Sequence, residues 1–211
     1  MTNALFDGLL MVVSLAGAFR FFALRDRPGL DFACGALLIV AAAALLGTIR
    51  YAGVTPPMLV VAHETVSTMA GILAPSWAIA AIVILLRGEP GRVAHAVLWL
   101  VPAIIVPLGV AEPTAAVGSI YAQMASLVML VMMLAAGIVL ALRSHVMAGA
   151  GLAVGAAGYA VAALSTLGFF GLGPSDALNL FHGGVTIWAA GLSIGLMAAD
   201  AVKQRDLAHS Q

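Results

Sequence analysis

The chain has 211 residues, 63% of them hydrophobic and 9% charged, with a formal net charge of zero and a mean hydropathy of +1.12. A soluble domain carries about 25% charge, so this composition excludes an ordinary soluble globule, and the balanced charge excludes a nucleic-acid binder. The single cysteine, Cys34, excludes an intrachain disulfide and a cysteine-rich metal site.

Seven apolar runs follow one another. Span one covers Ala4 to Leu24, span two Leu30 to Tyr51, span three Met58 to Leu86 and span four Val93 to Val110. Span five covers Thr114 to Leu142, span six His145 to Phe170 and span seven Asp176 to Val202. Runs of about 20 apolar residues without strict alternation predict membrane-spanning helices, because backbone polar groups find no water partner in hydrocarbon. The first run lacks a basic leader and is preceded by Asp7, so it is not read as a cleavable signal. Connections are short, with Arg27-Pro28-Gly29, Glu89-Pro90-Gly91 and Gly173-Pro174 marking turns. The fold expected is an all-α integral membrane protein, a single bundle of seven transmembrane helices over residues 1–211. Pro102 and Pro107 should bend span four. Gly151 and Gly155, with Gly191 and Gly195, should let spans six and seven approach closely.

The loop cations set the orientation. Arg20, Arg25 and Arg27 lie at the end of span one, Arg87 and Arg92 after span three, Arg143 after span five, and Lys203 and Arg205 after span seven. The alternate loops hold no basic residue, and only Arg50, at the end of span two, breaks the pattern. The positive-inside rule then places the N-terminus outside and the C-terminus in the cytoplasm. The location expected is a bacterial inner membrane, crossed several times.

An ionisable group at membrane depth is costly and marks a site or a buried partner. Span three places His63 and Glu64 side by side, with Ser67, Thr68 and Gly71 continuing the stripe. Span seven carries Asn179, His182, Thr186, Ser193 and Asp200 on helical spacings. Span five offers Ser119, Gln123 and Ser126, and span one Asp7 and Ser14. At roughly 1.5 Å per residue, His63 and His182 both lie about 8–9 Å below the outer end. Asp7, Arg50, Glu64, Tyr121, Gln123 and Asn179 share that outer half. Arg50 and Asp7 are long or terminal enough to reach the headgroups, and Arg50 is expected to pair with a buried Glu64. His95 and His145 read as interfacial residues.

These residues predict an outward-facing polar pocket that binds a cofactor or small apolar ligand through His63, His182, Glu64, Arg50, Gln123 and Asn179. Neutral imidazole ligates haem iron and divalent metals. His63 and His182 could therefore hold haem b or a metal, with Gly183 and Gly184 admitting a flat macrocycle. A metal-dependent hydrolase of lipids is an alternative, with Glu64 or Asp7 as third ligand, as is a non-catalytic accessory or transport subunit. The expected partners are the lipid bilayer and a small-molecule or lipid ligand. A retinal pigment is excluded, because the only lysine, Lys203, lies past span seven.

Overall fold

The computed structural model describes residues 2–88 and 90–209. They form α1 (Thr2–Ala23), α2 (Leu30–Tyr51), α3 (Pro57–Arg87), α4 (Arg92–Val110), α5 (Ala115–Leu142), α6 (Val146–Thr166) and α7 (Pro174–His209). A single 3-10 turn, Glu112–Thr114, precedes α5, and no strand occurs among the described residues. All seven helices are long and apolar enough to cross a membrane.

Helix ends follow local chemistry. Span six was expected to reach Phe170, but α6 stops at Thr166. Gly168 takes a φ of +72°, and the N–H groups of Gly168 and Phe169 donate back to the Ser165 and Leu164 carbonyls, the paired bonds of a Schellman end. α7 begins two residues before the expected Asp176, at Pro174, whose missing N–H costs nothing in a first turn. Gly29 turns the chain into α2 with a φ of +86°, and a Cβ there would sit 3.0 Å from the Ala81 carbonyl oxygen. Glu89, in the turn expected between spans three and four, lies outside the described residues. α4 runs on through Pro102 and Pro107.

Neighbouring helices close a ring in the order α1, α2, α3, α5, α6, α7, with α7 returning to α1. α4 packs outside this ring against α3 and α5, and Pro102 is its one buried residue. The core includes Trp188, Phe21, Phe32, Met129, Met133 and Leu192, all fully buried. α3 is covered unevenly. Its buried residues run from Ile72 to Ile84, and its first half is only partly covered.

The α6–α7 seam is built from glycines in antiparallel register. A methyl on Gly151 would lie 2.8 Å from Gly195 Cα, one on Gly191 2.5 Å from Gly155 Cα, and one on Gly184 2.5 Å from the Gly158 carbonyl oxygen. The expected small-residue pairs thus face each other, and Gly184 joins them. Such contacts are made by backbone, which cannot give way as a side chain can.

At the end of the bundle where α1 finishes, Arg27 pairs with the buried carboxylate of Asp200. Beside it, Asp31 Oδ2 lies 3.0 Å from His95 Nε2 and accepts a hydrogen bond from Trp99 Nε1 at 3.2 Å. His95, expected only at an interface, thereby ties α4 to the ring.

Replacing Gly191 by leucine should force α6 and α7 apart. Overpacking of this kind costs about 1–3 kcal/mol, and thermal unfolding in detergent should show the loss. An unchanged melting temperature would mean that the seam does not hold the two helices together.

Candidate functional site

At the end of the bundle where α1 begins, three helices bring polar groups into the ring. Asp7 stands on α1, His63 on α3 and His182 on α7. Asp7 is 2% exposed and His182 7% exposed. Their contact is direct, with His182 Nε2 lying 3.3 Å from Asp7 Oδ1. The other carboxylate oxygen, Asp7 Oδ2, and the other ring nitrogen, His182 Nδ1, are buried without a hydrogen-bond partner among the described residues.

α2 makes room for this cluster with Gly47. A Cβ at that position would lie 2.5 Å from Asp7 Oδ2 and 3.0 Å from His63 Nε2. The carboxylate and the imidazole therefore flank the same point, and any side chain at position 47 would collide with both. His63 is held from its other side, where Arg50 Nη1 lies 3.0 Å from His63 Nδ1. Arginine has donors only, so Nδ1 accepts and a neutral His63 carries its proton on Nε2. This assignment follows from the hydrogen-bond partner.

Asp7, His63 and His182 form the polar end of a cavity of about 140 Å³. Its walls are otherwise almost entirely apolar. Leu10 contributes from α1, Val40 and Ala44 from α2, Ala70 and Ala74 from α3, Tyr159 from α6, and Phe181 and Trp188 from α7. On α3 the lining runs from His63 to Pro75, roughly 18 Å at 1.5 Å per residue. The cavity is thus a slot with polar groups at one end and hydrocarbon at the other. Two details add polarity to its walls. Pro75 has no N–H to donate to the Gly71 carbonyl four residues back, and Trp188 Nε1 is buried without a partner among the described residues. Tyr159 keeps its hydroxyl bonded to Ser126 at 2.7 Å.

The residues expected at the site separate into groups. His63 and His182 line one cavity. Arg50 stands behind His63 and also reaches Glu64 Oε1 at 3.3 Å. Glu64 was expected to be buried, but its side chain is 63% exposed, because the first half of α3 is thinly covered. Asn179 is buried one turn from His182, and its Oδ1 has no partner among the described residues. Gln123 is exposed, bonds Ser119 on its own helix and lies apart from the cavity. Gly184, expected to admit a macrocycle, is pressed against α6. Among the described residues no three His, Cys, Asp or Glu side chains are grouped to hold a metal ion.

Sequence reasoning gave Asp7 too small a part. Its depth, close to that of His63 and His182, was the available signal, but its nearness to the chain start favoured the headgroups. Tyr159 and Trp188 carry no comparable signal, since each is a lone aromatic residue in an apolar run. No known protein family, curated protein or solved structure matches the chain.

The two carboxylates should respond differently to substitution. Asp7→Ala strands a buried imidazole nitrogen and should cost about 1–3 kcal/mol. Glu64→Gln removes an exposed pair and should cost about 0–1 kcal/mol. Thermal unfolding of the two variants checks this, and equal losses would contradict the burial difference.

Proposed function

We propose that the chain is a multi-pass membrane protein that binds a small neutral amphiphile in the ring cavity, its polar head between Asp7, His63 and His182. The observation carrying this reading is a buried carboxylate–imidazole pair at one end of an otherwise apolar slot. A ligand hydroxyl at that end of the slot can bond to the polar side chains of Asp7, His63 and His182 that line it. Its apolar body lies along Ala70, Ala74, Phe181 and Trp188.

The volume limits the ligand. A wholly apolar cavity of roughly 150 Å³ admits benzene, whereas pockets for drug-sized ligands run to about 300–1,000 Å³. At about 140 Å³ the slot favours a benzene-sized body over a macrocycle, which weakens the haem reading. At His63 the hydrogen bond from Arg50 to Nδ1 keeps the proton on Nε2 and leaves neither nitrogen free for a metal. A zinc hydrolase would need three protein ligands and a water, and the described residues group no such set.

The loop arginines support an outer location for the polar end of the slot and a cytoplasmic C-terminus. A reporter fused after Lys203 should be active in the cytoplasm, and a periplasmic signal would invert the site.

Phenol tests the binding reading, with benzene as the headless comparison. Phenol should raise the melting temperature of the purified protein by several degrees, and benzene by less. Ala70→Leu, which fills the slot, should abolish the shift. No shift in the unaltered protein, or an equal shift in Ala70→Leu, would rule the cavity out as the binding place.

A further inference from the structure

A second concavity, of about 440 Å³, lies at the opposite end of the bundle between α3, α5 and α7. Arg87 ends α3, Arg143 follows α5, and Lys203 stands on the last turns of α7; all three line it. None of these three cations has an ion pair or side-chain hydrogen bond among the described residues, in contrast to Arg27, which Asp200 holds. His145 adds a fourth basic side chain, and Asp206 is the one acidic residue in the lining among the described residues. The rest of the lining is mostly hydrocarbon, with Leu85, Leu140, Ala199 and Val202 forming part of it.

Cations at the ends of apolar helices ordinarily spread into headgroups one by one. Here three helices converge theirs on one groove with an apolar floor. The groove's size falls in the roughly 300–1,000 Å³ range of ligand sites. Its chemistry complements an anion joined to a hydrocarbon chain.

We infer that this groove is a binding site for an anionic phospholipid, its phosphate held by Arg87, Arg143 and Lys203 and the first part of an acyl chain laid on Leu85, Leu140 and Val202. The inference rests on the membrane reading of the helices and is independent of the cavity near Asp7.

Native mass spectrometry of the full chain in a neutral detergent tests it, with phosphatidylglycerol as probe and phosphatidylcholine as comparison. One phosphatidylglycerol should stay bound where phosphatidylcholine does not. A basic residue near an anionic headgroup contributes about 1 kcal/mol, a factor of about five in affinity. The double variant R87Q/R143Q should therefore bind roughly 25-fold more weakly. The control R20Q/R92Q removes two exposed cations outside the groove and should bind as the unaltered chain does. If R87Q/R143Q elutes as aggregate, K203Q replaces it, with a loss of about fivefold. Equal retention of phosphatidylcholine, an equal loss in the control, or no loss in the groove variant would overturn the site. Displacement of the lipid by inorganic phosphate at matching concentration would show a free-anion site and overturn the lipid assignment.

Discussion

The contact between Asp7 and His182 is the constraint around which the half of the bundle holding the start of α1 is arranged. In hydrocarbon a polar group must find its partner within the protein. Asp7 and His182 come from the first and last helices, and their meeting helps close the ring between α1 and α7. Gly47 yields the space, and Arg50 fixes the His63 ring from outside. Each of these residues has its place because a neighbouring charge or dipole requires it. Asp7 Oδ2 and His182 Nδ1 are left without a hydrogen-bond partner among the described residues.

The remainder of the ring is held by shape. Along α6 and α7 the glycines allow backbone to touch backbone, and a methyl group at any of several positions would collide. α4 stands outside, joined to α2 by the Asp31 contacts with His95 and Trp99. Phe32 stacks on Trp99 with ring centroids 4.8 Å apart, so the attachment combines charge with aromatic area. The thin cover over the first half of α3 contrasts with the glycine seam. Few buried contacts make a segment the more easily opened, and this segment carries His63.

The two ends of the bundle treat charge differently. Near α1's start, polar groups are drawn inward and partnered around a small slot. At the other end Asp200 is buried under Arg27, while Arg87, Arg143 and Lys203 have no ion-pair partner among the described residues and line a wider groove. Buried charge needs a partner, whereas charge at headgroup level finds water and phosphate. The difference follows from burial.

What the amino-acid sequence determined by itself is the set of helices, their approximate ends and the similar distance of His63 and His182 from the starts of their helices. Apolar length, Pro-Gly turns and loop arginines are local signals, and that distance is a count along a helix. The glycine pairs of α6 and α7 were legible for the same reason, because close approach needs small residues at fixed spacing. Only the tertiary structure decided how each helix is rotated and which neighbours it meets. These helices are apolar on nearly every side, so periodicity says little about which face turns inward. Asp7 therefore proved to be the partner of His182 and not a headgroup residue. Glu64 turned outward beside an inward His63, Gln123 fell outside the slot, and Tyr159 and Trp188 entered its wall. Rotation about a helix axis is set by packing against other helices, and a single chain's spacing does not carry that information.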